Sequence, residues 1–259
     1  MLKLSTKYQH NANNQFEYEI FGQLSQSEQD QRFFSSINQS IDQFEEVTPF
    51  NLSQNLNYYY TLDEKNIFAL EAQHVLKDED PLYNAILEDK FSYDDTAENL
   101  GLDQFQSNYD LSQEKRVKSN QLDAKLDYWR ILNKKSNLNF TLGTIFSQQK
   151  FNSNIFQFLD DGSQYDSSPS DISDINSIDY KFTDLYLGLH YRIKTGIFTI
   201  TPGISGHAYN VNNTQFGQET TDNFFRFLPD LNVIIQLKKS ETLNLNYRMQ
   251  TQFTDVSNF

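Results

Sequence analysis

The chain has 259 residues, a formal net charge of −14 at neutral pH, no cysteine and only 37% hydrophobic residues. Its mean hydropathy is −0.66, and no run of about 18 apolar residues exists, so a membrane-spanning helix is excluded. The acidity argues against a nucleic-acid partner, whose phosphates need a basic patch, and the lack of cysteine excludes disulfides and thiolate metal sites. A transmembrane β-barrel stays open, because each spanning strand needs only about 9–11 residues and shows lipid every second one. The 22 Phe and 15 Tyr against a single Trp suit the aromatic girdles of such a barrel, and equally the core of a soluble β-sandwich.

Residues 1–10, Met-Leu-Lys-Leu-Ser-Thr-Lys-Tyr-Gln-His, contain no apolar stretch long enough for a signal peptide. The same residues open a period-two pattern. Leu2, Leu4, Thr6 and Tyr8 alternate with Lys3, Ser5, Lys7 and Gln9, and a second run offers Phe16, Tyr18, Ile20, Gly22 and Leu24. Alternation of this kind marks half-buried strands. Residues 25–49 are polar and read as a loop. Leu52, Leu56, Tyr58 and Tyr60 then face away from Asn51, Ser53, Asn55 and Asn57, and the turn Asp63-Glu64-Lys65-Asn66 leads into Phe68, Leu70, Ala72, His74 and Leu76.

After an acidic loop extending to about residue 118 comes the cleanest strand. Leu122, Ala124, Leu126 and Tyr128 share one face, and Gln121, Asp123, Lys125 and Asp127 the other. Three charges on one face suit a wet lumen and not a dry core. The turn at residues 133–137 returns the chain through Leu138, Phe140, Leu142, Thr144 and Phe146, and an Asp- and Ser-rich loop runs to about residue 181. Leu185, Leu187, Leu189 and Tyr191 follow, then the turn Lys194-Thr195-Gly196, then Phe198, Ile200, Pro202, Ile204 and Gly206. A polar loop over 210–222 precedes the last hairpin, with Phe225, Phe227, Leu231, Val233, Ile235 and Leu237 on one strand and Leu243, Leu245, Tyr247 and Met249 on the other. About ten strands result. Pro202 and Pro229 weaken their strands, since proline donates no ladder hydrogen bond.

The rhythm is strand, short turn, strand, long loop. It predicts an all-β fold: an antiparallel transmembrane β-barrel segment over residues 1–259, with short periplasmic turns, long extracellular loops and no plug domain. Two stretches and a turn carry a family likeness: Phe227-Leu228-Pro229-Asp230-Leu231-Asn232-Val233, the lysine-bearing turn Lys238-Lys239-Ser240-Glu241, and Leu243-Asn244-Leu245-Asn246-Tyr247-Arg248. Together with Tyr58-Tyr59-Tyr60 and Ile200-Thr201-Pro202-Gly203, they resemble the barrel of a TonB-dependent outer-membrane receptor of the type common in Bacteroidetes. That resemblance implies a Gram-negative outer-membrane location, lipid as a partner, a plug domain and the TonB system acting through a full-length protein, and uptake of a small ligand such as a siderophore, oligosaccharide or peptide. Such barrels have more strands, so the chain is expected to be part of a larger wall, with Phe259 a truncation point. The rival expectations are a complete ten-stranded barrel serving as adhesin or pore, and a soluble carbohydrate-binding β-sandwich.

Chemistry is sparse. Serines are plentiful, but none sits in a recognisable nucleophile turn, so no enzyme, catalytic residue or cofactor is expected. His190 and His207 fall on the polar face of one hairpin; pairing His190 opposite residue 200 separates them by about seven residues, roughly 23 Å, too far to share a metal. His74 reads as a rim residue. Asp160-Asp161-Gly162-Ser163-Gln164-Tyr165-Asp166 has calcium-binding oxygens without EF-hand spacing, and reads as a solvated acidic loop, with no metal site. Asp123, Lys125, Asp127 and Arg248 could line a transport path, or simply fill a wet lumen.

Overall fold

The computed structural model describes residues 1–34, 40–88, 90–99, 101–165, 177–215 and 217–251. Among them the strands in chain order are β1 (Leu2–Asn11), β2 (Asn14–Leu24), β3 (Ser27–Phe34), β4 (Ser40–Val47), β5 (Phe50–Asp63), β6 (Asn66–Glu79) and β7 (Leu82–Leu87). A short helix, α1 (Asp94–Asn99), precedes β8 (Tyr109–Asn133), β9 (Ser136–Phe158), β10 (Gln164–Tyr165), β11 (Ile178–Thr195), β12 (Phe198–Gln215), β13 (Gln218–Lys238) and β14 (Glu241–Arg248). All form one antiparallel sheet. Its main path is ten strands long, β1-β2-β5-β6-β8-β9-β11-β12-β13-β14, and among the described residues no ladder joins β14 back to β1.

Those ten are the strands that the alternation marks. Each hairpin on one side of the sheet closes over two residues, because the local chemistry supplies the bend. Asn11, Asp63 and Asn133 each accept, through their side-chain oxygen, the backbone N–H two residues on, at 2.9, 2.7 and 2.8 Å, an Asx turn that substitutes for a backbone turn. The β11–β12 hairpin uses Gly196 instead, at φ 58°, the positive φ that two-residue hairpin turns require at their first central position.

The loops differ from expectation. Residues 25–49 are not a bare loop: β3 and β4 form a hairpin whose second strand pairs with β7, and β7 pairs with the upper part of β8. Residues 210–215 and 218–222 of the next polar stretch are strand as well, since Gln215 pairs with Gln218. In β3, β4 and the far ends of β12 and β13 polar residues on both faces hide the strand, because the alternation that reports a half-buried strand fades where both faces are wet, while β7 is a short, mostly apolar run inside an acidic stretch. β8 and β9, at 25 and 23 residues, thus run well beyond the apolar pattern. Pro202 and Pro229 both lie inside strands, opposite Leu231 and Ile204; the Pro229 carbonyl still accepts from the Met249 N–H at 3.2 Å. The expectation for Phe259 lies outside the described residues.

A conventional core is nearly lacking. Among the described residues the buried hydrophobics are Ala69, Ala97, Tyr109, Phe156 and Tyr209, whereas Leu187 is 66% and Phe227 65% exposed. Along β8, β9, β11, β12 and β13 the apolar parity is the more exposed and the polar parity the more covered, the reverse of a water-soluble sheet, while the end strands β1 and β14 are exposed on both parities. With a single sheet present, only curvature toward the polar face lets those side chains cover one another.

Gly196→Ala places a Cβ in the left-handed region and should lower stability by about 1–2 kcal/mol, read as a shift of the denaturant midpoint with an unchanged slope.

Candidate functional site

The concave face is where polar groups converge. Asp127 is 6% exposed and Asp184 3%, positions that only a network of partners makes tolerable. On β8, Lys125 Nζ lies 2.9 Å from Glu71 and 3.6 Å from Asp127, and Asp127 also accepts from Asn139 Nδ2 at 3.1 Å and from the Thr141 hydroxyl. Asp123, on the same face, stands opposite Gln73. Asp123, Lys125 and Asp127 therefore do line the inner wall, as the alternation indicates. Arg248 does too, at the β14 edge opposite Asp230.

A second cluster spans β11, β12 and β13. His207 Nδ1 lies 2.8 Å from Asp184 Oδ2, and its Nε2 lies 2.9 Å from the Ser205 hydroxyl. Its ring is stacked between Tyr186 and Tyr209 at centroid distances of 5.0 and 5.5 Å, and Tyr209 meets Phe224 at 5.1 Å. Beneath Tyr186 lies Gly143; a Cβ there would sit 2.2 Å from the ring. Register alone creates this, since Tyr186 pairs with Gly143 on one side and His207 on the other.

His190 is opposite Gly203, not residue 200, because the hairpin closes over Gly196 and Ile197. His207 is thus four residues further along, on the order of 13 Å, closer than expected. Each imidazole has its own carboxylate, His190 Nε2 lying 3.0 Å from Asp230. His74 hydrogen-bonds Gln54 and Asn120 at 3.2 and 2.8 Å on the outward face, at the upper edge of the apolar side chains. In the acidic loop, Asp160 accepts from the Ser107 N–H and hydroxyl at 2.9 and 2.7 Å, and Asp161 from those of Ser163 at 2.8 and 2.6 Å. These carboxylates hold turns, and they do not converge on one point; Asp166 lies outside the described residues.

Ser205, His207 and Asp184 have the order of a nucleophile, base and orienting acid. A reaction needs more: donors aimed at the developing oxyanion. Ser205 stands mid-strand with a ladder on each side, opposite Gly188 and Leu228, so the neighbouring backbone N–H groups are committed to the sheet. The arrangement is a buried hydrogen-bond chain that fixes His207 in its aromatic stack. Alternation placed His207 on this face, but Asp184, Tyr186, Ser205 and Tyr209 could be joined to it only by the register.

The sequence matches no family model and no curated protein. Solved structures with a remote likeness to this chain include three transporters or receptors. The ferric citrate transporter FecA in its unliganded form is 12% identical, with 94% of this chain and 43% of that one covered at a TM-score of 0.39. The FrpB iron transporter from Neisseria meningitidis is 11% identical, with 94% and 42% covered at 0.36. The alcaligin outer-membrane receptor FauA from Bordetella pertussis is 8% identical, with 95% and 42% covered at 0.31. The chain spans less than half the length of each. Likeness this remote carries no weight on function.

Two outcomes follow. A fluorophosphonate probe should leave Ser205 unlabelled, as read by mass spectrometry of the Ser205 peptide. The Ser163 hydroxyl and N–H hold the Asp161 carboxyl below the ordinary aspartate range, so this group adds stability to its turn at neutral pH and the contribution is lost as pH falls through its lowered pKa. An NMR titration should show that low midpoint, with Ser163→Ala raising it.

Proposed function

We propose that the chain is a wall of an outer-membrane β-barrel of the TonB-dependent receptor type, taking part in nutrient uptake in a Gram-negative bacterium. The observation that carries this reading is the inverted burial. One outward row, Tyr8, Phe16, Tyr58, Leu70, Leu126, Leu142, Leu187, Gly206 and Phe227, crosses nine neighbouring strands by direct pairing. Below it Tyr60, Phe68, Tyr128 and Phe140 stack in series at 6.3, 4.8 and 6.1 Å, the form of an interfacial aromatic girdle.

The height fits. On β12 the outward positions from Phe198 to Ala208 span ten residues, roughly 33 Å along the strand and about 25 Å along the normal of a strand tilted near 40°. A β-sandwich would cover this face with a second sheet, and the described residues form one sheet. The exposed apolar face therefore favours lipid as its partner.

In this reading the polar inner wall faces a plug domain supplied by the full-length protein, the TonB system drives that plug, and the loops meet a small ligand: a siderophore, an oligosaccharide or a peptide. No residue of the wall performs chemistry, and nucleic acid is not a partner.

Reconstitution in lipid vesicles tests it. The folded protein should show heat-modifiable gel mobility and need detergent for solubility. Leu187→Arg, on the outward face, should cost about 2–4 kcal/mol in urea unfolding, while Gln121→Arg on the inner face should cost close to nothing. A detergent-free stable monomer, or equal costs at both positions, rejects the reading.

A further inference from the structure

Just above the apolar band the outward face changes character. On β8 and β9 the last apolar outward pair is Leu122 and Phe146; the next is Asn120 and Gln148, and the one after that is Lys118 and Lys150, directly opposite each other. Like charges so placed repel. Lys181 on β11 is level with Gln148, and Arg116 lies one position above Lys118 on the same face.

Among the described residues two carboxylates form ion pairs with these four cations, and Asp80 adds a more distant attraction to Arg116. Asp78 is shared by Arg116 and Lys118, each at 3.1 Å. Asp179 is shared by Lys150 at 3.5 Å and Lys181 at 3.8 Å. Glu114 and Asp80 lie further toward the loops. Counting the ion-paired groups alone, four cations against two carboxylates leave a surplus of two positive charges on a chain of net charge −14, and the four basic side chains are between 46% and 58% exposed.

Depth identifies the occupant. The cations begin two to four residues beyond the last apolar pair, roughly 7–13 Å along the strand and about 5–10 Å along the normal once tilt is included. The headgroup layer on each side of a bilayer is about 5–8 Å thick. We propose that Arg116, Lys118, Lys150 and Lys181 form a docking site for the phosphate of an anionic membrane lipid, held against the outer wall at headgroup depth. The site rests on the outward face being the lipid face.

The test is titration of detergent-solubilised protein with short-chain phosphatidic acid, with phosphatidylcholine of the same chain length and inorganic phosphate as parallel arms. Phosphatidic acid should bind saturably and more tightly than phosphatidylcholine, and less tightly as salt rises. Lys118→Gln/Lys150→Gln should weaken it about 30-fold, each charge contributing roughly a factor of five. Equal binding of both lipids, an unchanged affinity in the variant, or salt-independent binding by the wild type overturns the site; inorganic phosphate binding as tightly as phosphatidic acid overturns the lipid as its source. The salt series on the wild type decides the matter should the variant fail to fold. A wild type with heat-modifiable mobility and no lipid preference sinks this inference alone, whereas a wild type lacking that mobility sinks the barrel reading with it.

Discussion

Everything in this molecule depends on register. Nine ladders join ten strands, and each must hold its pairing to the residue, because a slip of one position turns every side chain of a strand to the other face. A slipped β11 would aim Asp184, Tyr186 and His190 outward and Leu185, Leu187 and Leu189 into the concave side. The two-residue turns enforce the register on one side of the sheet, with Asx side chains at three of them and Gly196 at a fourth. Polar networks across the inner face reinforce it, since Asp184 finds His207 and Asp127 finds Asn139 in only one alignment.

The small number of buried hydrophobic residues follows from the same arrangement. In water, a sheet is stabilised by covering its apolar face, and here no second sheet covers that face among the described residues. Stability must come from the ladders, from the polar inner chain and from whatever solvates the outside. A bilayer does so at no cost to the backbone, because its hydrogen bonds are already closed within the sheet. An acidic, hydrophilic composition and a membrane location are therefore compatible: the charges belong to the loops, to the concave face and to the strand ends beyond the apolar band.

Legibility in the sequence followed the same division. Where one face meets an apolar medium and the other a polar one, as at Leu122 to Tyr128 against Gln121 to Asp127, alternation identified the strand and both of its faces. Where both faces are wet, as in β3, β4 and the far ends of β12 and β13, there was no contrast to read, and β7, Leu-Tyr-Asn-Ala-Ile-Leu, is a short run without a regular polar face. The inner cluster was legible only in part. His207 had the right parity, but Asp184 and Tyr186 come to it from β11, and their alignment depends on whether a turn closes over two residues or more. For His190 the observed partner, Gly203, lies three positions beyond residue 200, because the turn at Gly196 lies further along the chain.

The extension of β8 and β9 beyond the apolar side chains has a consequence for how such a surface would change over time. Because β3, β4, β7 and β10 are hydrogen-bonded directly or in turn to those two strands, the upper region is a continuation of the wall and not a set of tethered loops. A ligand meeting it would face groups already held in place, with little ordering entropy left to lose. Selectivity on this platform would then drift by exchange of single side chains at fixed positions, while insertions and deletions, the usual currency of loop diversification, would collide with the ladder.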